Sequence, residues 1–145
     1  MEREYHRDIH RINYIHSEMN ALYHQASLKL NISDNTAIVL YTIYDLGDGC
    51  LLSDIYKTGD LSRQTVNSII RKLEAEDILH LVPYNGKSKK ILLTTHGQTY
   101  MQETVAQLYQ SEMDAFKSWT DEELNTYLQL MEKHLSSLRQ QMKEF

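Results

Sequence analysis

The sequence is poor in the residues that interrupt or cross-link a chain. Its 145 residues include five glycines, one proline and one cysteine. Few glycines and prolines favour long helices, because these two residues are the least favourable ones in a helix interior. The single cysteine, Cys50, excludes an internal disulfide. Nothing therefore indicates an oxidising compartment, and the cytoplasm is the expected location.

Long apolar runs and catalytic motifs are missing as well. No run approaches the roughly 20 residues that a membrane span requires, and the charged segment 1–8 lacks the apolar stretch of a signal peptide. The chain has no glycine-rich phosphate loop, no Gly-x-Ser-x-Gly and no cysteine–histidine pair at a convincing spacing. We expect no membrane association, no enzymatic activity and no cofactor.

The charge is unevenly distributed along the chain. The formal net charge is −5. Residues 62–97 carry six basic and three acidic side chains, so this segment has a charge of +3 and the rest of the chain −8. A basic segment in an acidic protein is typical of a protein that meets DNA with one edge only.

Two amphipathic helices are predicted at the ends of the chain. Over residues 5–30 the apolar side chains recur every three or four positions. Near the C-terminus Thr120 and Glu123 form a capping box for a last helix, whose apolar residues follow a heptad spacing. Both apolar stripes need a partner surface, and the simplest one is a second copy of the chain. The expected dimerisation residues are Ile9, Ile12, Leu124, Leu128, Met131, Leu135, Leu138 and Met142.

The segment after the first helix is predicted to be a helix-turn-helix. Ser33 or Asp34 can cap its first helix, and Gly47-Asp48-Gly49 ends it. A short helix follows over residues 52–57, with a turn at Thr58-Gly59-Asp60. Ser62 then caps another helix, whose spacing predicts a buried face formed by Val66, Ile69, Ile70 and Leu73.

A β-hairpin is predicted after that helix. Residues 78–82 and 90–93 are mainly apolar and flank Asn85-Gly86, a pair in which both residues accept positive φ. Thr95 and Gln98 make a candidate capping box for a fifth helix that runs to about Lys117.

This element order predicts a mainly α fold with a small β-hairpin wing. A winged helix-turn-helix at 32–97 would bind DNA, and helices at 1–31 and 98–145 would form the dimerisation region.

In element order nearly the whole chain resembles the MarR family of bacterial transcriptional regulators, and the central segment does so most specifically. The resemblance rests on Leu61-Ser-Arg-Gln-Thr-Val-Asn-Ser-Ile-Ile-Arg-Lys-Leu-Glu74, on Ile78-Leu79 and on Leu93-Thr-Thr-His-Gly97. It implies a homodimer that binds a pseudo-palindromic operator on double-stranded DNA. It further implies that the protein acts as a repressor, which in this family is often released from DNA by a small-molecule effector.

Two features depart from the pattern of that family. Asp77 stands at the helix-to-strand corner where many members have glycine, and aspartate tolerates the left-handed geometry of such a corner. The usual Asp-x-Arg-Arg at the tip of the wing is replaced by Asn-Gly-Lys-Ser-Lys-Lys at 85–90. We therefore expect the wing to contact phosphates through lysines rather than to insert an arginine into the minor groove.

The candidate DNA contacts lie on the outward face of the helix capped by Ser62, and on the wing. Arginine can pair with guanine O6 and N7, and asparagine or glutamine with adenine N6 and N7. Hydroxyl groups and lysines bind phosphate. We expect bases to be read by Arg63, Gln64, Asn67 and Arg71, and phosphates to be contacted by Ser62, Thr65, Ser68, Lys87, Lys89 and Lys90.

Three alternatives stay open at this point. A winged helix can serve as a protein-interaction module without DNA binding, which the acidic net charge would allow. His6 and His10 have a metal-binding spacing, but no third ligand completes a set, so no metal site is expected. Cys50 could make the regulator redox-responsive, although the aspartates near it in sequence, at 45, 48 and 54, disfavour a reactive thiolate.

Overall fold

The structure is a computed structural model that describes residues 2–58 and 60–145. Met1, at the start of the charged N-terminal segment, and Gly59, in the predicted turn Thr58-Gly59-Asp60, lie outside the described residues. The elements are α1 (Tyr5–Lys29), α2 (Asp34–Leu46), α3 (Leu52–Tyr56), α4 (Arg63–Ala75), β1 (Leu79–Tyr84), β2 (Ser88–Leu93), α5 (Thr95–Glu103), α6 (Val105–Phe116) and α7 (Asp121–Met142). This order confirms the predicted fold class, a mainly α chain with one β-hairpin.

The chain forms two compact units, one up to Leu108 and the other from Tyr109 onwards. In the first unit α2, α3, α4, the hairpin and α5 bury a continuous apolar core. The four side chains of α4 that were predicted to be buried all belong to it. The division into DNA-binding and dimerisation segments stays a prediction.

Serine and threonine hydroxyl groups begin four of the helices. Ser33 caps α2 by accepting a hydrogen bond from the Thr36 amide at 3.1 Å. Thr120 and Glu123 form the predicted capping box of α7. The predicted box of Thr95 with Gln98 is wrong by one position, because the Thr94 hydroxyl accepts from the Gly97 amide at 2.9 Å and makes Thr95 the first helical residue.

The predicted long fifth helix is wrong, since α5 and α6 are separate helices. Thr104 lies between them with φ −123° and ψ −102°, outside the helical region. Its hydroxyl donates to the Tyr100 carbonyl at 2.7 Å. Threonine side chains that bond to the backbone in this way compete with the regular helix and often bend it.

The hairpin pairs Leu79 with Leu93 and Tyr84 with Ser88. Both strands are longer than predicted and extend to the turn, where Asn85 and Gly86 take the expected positive φ of 45° and 77°. On its other side β2 is bonded to the loop before α3, because the Ile91 amide donates to the Cys50 carbonyl at 2.8 Å. At the base of the wing β2 is therefore hydrogen-bonded along both edges, to β1 on one side and to this loop on the other.

The corner between α4 and β1 is closed by the start of α5. Asp77 has φ 58°, the left-handed geometry expected for it. The Thr94 amide donates to the Ile78 carbonyl at 3.1 Å. A Cβ atom at Gly97 would lie 1.8 Å from the same carbonyl oxygen, so only glycine fits at this position.

The second unit contains the end of α6 and all of α7. The rings of Phe116, Trp119 and Tyr127 pack edge to face around the turn between these helices, with Trp119 centred 5.0 Å from Phe116 and 5.4 Å from Tyr127. This aromatic cluster fixes the turn, because edge-to-face pairs add stability beyond the area they bury.

Candidate nucleic-acid interface

One groove of the first unit brings together the main candidate DNA contacts. Arg63, Asn67 and Arg71 are spaced by four residues and therefore form one stripe along α4. This stripe lines a groove of about 830 Å³, and Lys87 and Lys89 of the wing line it too. The helix and the wing thus contribute four cationic side chains to a single concave surface, which we call the basic groove.

Tyr56, at the end of α3, contacts two of the predicted base-reading side chains. Its hydroxyl donates a hydrogen bond to Oδ1 of Asn67. The guanidinium carbon of Arg63 lies 4.4 Å from the centre of its ring, a cation–π arrangement. Sequence reasoning missed Tyr56, because no residue spacing gives the angle between α3 and α4 that creates these contacts.

Other predicted residues line a second groove along a different face of α4. Gln64, Thr65 and Ser68 line it, together with the first residues of α2. Ser62 and Thr65 are also engaged with each other, since the Thr65 amide and the Ser62 side chain bond at 3.1 Å. Gln64 and Ser68 are therefore not brought together with Arg63, Asn67 and Arg71.

The three wing lysines do not share one face of the hairpin. Successive side chains of a strand point to opposite faces. Lys87 and Lys89 line the basic groove, whereas Lys90 does not. The Lys90 ammonium nitrogen instead lies 4.9 Å from the centre of the Tyr84 ring. Strand alternation is a sequence signal that would have separated Lys89 from Lys90.

Cys50 has the chemistry of an unreactive thiol. It is half-buried. Burial, with smaller contributions from Asp54 and Asp48, raises the pKa of its thiol to about 11. A thiolate is the reactive form of cysteine, so this environment suppresses oxidation and metal binding near neutral pH. In residues 2–58 and 60–145, no three histidine, cysteine or carboxylate side chains are grouped so as to hold a metal ion.

The helices α1 and α7 each expose an apolar stripe. On α1 only Ser27 is buried, and on α7 no residue is. Of the eight predicted dimerisation residues, Leu124 is partly covered and the other seven are exposed. In the described part of the chain, no helix has both the length and the apolarity needed to cross a membrane.

Solved structures of bacterial regulators have the same fold. MepR of S. aureus is 24% identical, with 89% of this chain and 96% of MepR covered; its TM-score is 0.72 in the DNA-binding conformation and 0.64 in complex with DNA. A MarR-family regulator from Silicibacter pomeroyi is 18% identical, with 88% of this chain and 86% of that chain covered and a TM-score of 0.66.

A third similar structure concerns the regulation of DNA binding of Bordetella bronchiseptica BpsR by 6-hydroxynicotinic acid. BpsR is 22% identical, with 88% of this chain and 98% of BpsR covered and a TM-score of 0.62. No protein-family model and no curated protein matches the sequence. The chain therefore has the winged helix-turn-helix fold of MarR-family regulators.

Proposed function

We propose that the chain is a sequence-specific double-stranded DNA-binding transcriptional regulator of the MarR type, and that it acts as a homodimeric repressor on a pseudo-palindromic operator. The observation that carries this proposal is the basic groove, in which one face of α4 and one face of the wing combine. α4 would serve as the recognition helix. The function requires no catalysis.

The basic groove suits the two kinds of contact that DNA binding needs. Arg63 and Arg71 are exposed and long enough to pair with guanine in a major groove. Lys87 and Lys89 are exposed on the same side, where each can neutralise one phosphate. A protein-interaction module would have no need to concentrate this charge in an acidic chain, so DNA is the partner that the charge favours.

A dimer is supported by the apolar stripes of α1 and α7. Seven exposed apolar side chains on two helices are unusual for a monomer, and contiguous patches of this kind commonly mark interfaces. A two-fold dimer would present its two recognition helices to successive major grooves, about 34 Å apart. The operator would then have matching half-sites.

The proposal also includes regulation of DNA binding by a small-molecule effector. BpsR is a structural relative whose DNA binding is regulated by a small aromatic acid. In the first unit of this chain a cavity of about 210 Å³ is lined by apolar and polar side chains, namely Ile43, Leu93 and Met101 and, as polar groups, Tyr44, Asp48, Gln98 and Gln102. Apolar walls with a few polar groups are typical of ligand sites. Because Asp48 lines this cavity and no cationic side chain of the described residues does, we expect uncharged or cationic aromatic compounds, rather than aromatic acids, to raise the melting temperature and to weaken DNA binding.

The central experiment measures binding of the full chain to duplex DNA from upstream of its own gene, across a salt series. Specific binding should exceed binding to random duplex, and log K should fall linearly with log salt concentration. Arg71→Gln should weaken specific binding roughly 5- to 150-fold, because one arginine–guanine pair contributes about 1–3 kcal/mol of discrimination. Lys87→Ala should reduce the salt slope by about 0.9 per subunit.

The matched control is Arg11→Gln, which removes the same charge from the exposed face of α1. Arg11 does not line the basic groove, so specific binding should stay unchanged. Equal binding of random and upstream DNA, together with no effect of Arg71→Gln, would refute the proposal and favour a protein-interaction module.

A further inference from the structure

We propose that Tyr56 determines which base edge Asn67 can read, and so acts as a specificity-determining positioning residue of the recognition helix. The inference rests on the proposed DNA-binding function. It corrects the expectation that Asn67 reads adenine through both atoms of its side-chain amide.

Tyr56 joins the end of α3 to the outward stripe of α4. It is half-buried, and its neighbour Ile55 belongs to the core, so its backbone is firmly placed. Its hydroxyl donates to Oδ1 of Asn67, and the guanidinium of Arg63 lies over its ring. One side chain therefore orients two neighbouring candidate base contacts before any DNA is bound.

The hydrogen bond fixes the direction of the Asn67 amide. Reading adenine in the major groove requires Oδ1 to accept from N6 while Nδ2 donates to N7. Here Oδ1 is turned towards Tyr56, and Nδ2 makes no hydrogen bond within the described residues. Asn67 therefore offers DNA a donor alone, which N7 of either purine, guanine O6 or thymine O4 can accept, and the second contact that would single out adenine through N6 is lost.

Arg63 extends the same preference to the adjoining position. Its guanidinium has only donors and is held over the Tyr56 ring, 4.4 Å from its centre. Arg63 and Asn67 together present donors alone on this part of α4. The preferred half-site should hence combine a guanine for Arg63 with any base except cytosine for Asn67, since cytosine alone presents no acceptor in the major groove.

The test is selection of bound sequences from a library of random DNA duplexes, with the full-length chain and its variants. Tyr56→Phe removes the hydroxyl and keeps the ring beneath Arg63. The wild type should show no preference for adenine over guanine or thymine at the Asn67 position. Tyr56→Phe frees Oδ1 for adenine N6 and should prefer adenine by at least about fivefold, the lower bound for one specific base contact, while the guanine preference at the Arg63 position and binding to random duplex at low salt stay unchanged.

Three further variants separate positioning from a merely structural role. Tyr84→Phe removes a tyrosine hydroxyl outside the basic groove and should select the wild-type sequences. Tyr56→Phe with Asn67→Ala should select the same sequences as Asn67→Ala alone, because the hydroxyl acts through Asn67. Asn67→Asp leaves one oxygen on Tyr56 and turns the other to DNA, so the preference should change to cytosine, whose N4 is a donor.

The inference is overturned if Tyr56→Phe selects the wild-type sequences, or if it changes the selection when Asn67 is already alanine. If Asn67→Asp still disfavours cytosine, the inference is also overturned, and this variant decides the matter should Tyr56→Phe not fold. A different result, in which the wild type enriches no sequence at all, would refute the proposed function itself.

Discussion

The middle of the chain and its two long terminal helices differ in the burial of their apolar side chains. α2, α3, α4 and the hairpin bury theirs against one another, and Leu40, Leu73 and Ile91 are 0% exposed. α1 and α7 have equally regular apolar spacing, yet Ile9 is 54% and Leu135 49% exposed. The central fold therefore completes its own core, whereas the apolar stripes of the terminal helices are exposed within the described residues. We propose that a second copy covers these stripes.

The largest effect is expected from charging the stripe of α7. Leu128→Glu with Leu135→Glu should convert the dimer into a monomer, because a buried carboxylate without a partner costs several kcal/mol. The central fold should persist. Sedimentation gives the mass and circular dichroism the helix content.

The matched control adds the same two charges beside the stripe. Gln129→Glu with Ser136→Glu changes exposed residues of α7 and should leave the dimer mass unaltered. A monomeric mass for the wild type would refute the proposed dimer and the role of the α7 stripe as its interface.

A change in the central core should come next in size. Leu73→Ala deletes a fully buried side chain and should lower the free energy of unfolding by about 2–5 kcal/mol. Urea denaturation measures this, and the loss should be the same at all protein concentrations. Leu138→Ala in the α7 stripe should instead have an effect that depends on concentration, since it acts on association. Equal, concentration-independent losses would contradict the distinction between core and stripe.

Gly97→Ala should have an intermediate effect confined to the central region. The added Cβ would meet the Ile78 carbonyl at 1.8 Å, and overpacking of this kind costs about 1–3 kcal/mol or more. Gly86→Ala makes a useful comparison, because its φ is 77° but no atom lies near the new methyl group. It should cost less, about 1–2 kcal/mol. Thermal unfolding of both variants distinguishes a steric cost from a backbone cost.

The smallest effect concerns Cys50 and leaves the structure unchanged. Burial and nearby aspartates raise the pKa of its thiol from 9.0 to about 11, so at pH 8 its thiolate should be on the order of a hundredfold rarer than in the unfolded chain. Labelling with a thiol reagent should be slow in the native protein and fast in urea. The folded pKa is the higher one, so the stability linked to this group is complete below pH 9 and is lost as the pH rises through about 11. The Leu128→Glu, Leu135→Glu protein should be labelled at the native rate.

The sequence was sufficient for most of the fold because local chemistry determines it. Ser33 and Ser62 cap the helices they were expected to cap, and Asn85-Gly86 forms the turn of the hairpin. The break between α5 and α6 was missed, because it depends on one hydroxyl bond from Thr104 to a carbonyl of its own helix. Apolar spacing continues through such a break and does not reveal it.

The candidate site was less predictable, because it depends on how elements are oriented. Helical spacing put Arg63, Asn67 and Arg71 on one outward face together with Gln64 and Ser68. In the structure the first three line the basic groove and the other two line a different one. Helical spacing could not show that Tyr56 of α3 would reach the first three. Nor did the count of wing lysines reveal that Lys90 lies away from Lys89, which follows from the alternation of a strand.

The corner between α4 and β1 links the movement of α5 to that of both elements. The Thr94 hydroxyl donates to the Asp77 carbonyl, and the Thr94 amide donates to the Ile78 carbonyl. The start of α5 is therefore bonded to the chain where α4 ends and the wing begins. Because Gly97 has no side chain, α5 packs directly against the Ile78 carbonyl. A tilt of α5 would therefore move the end of α4 and the base of the wing together, and these two elements are the walls of the basic groove.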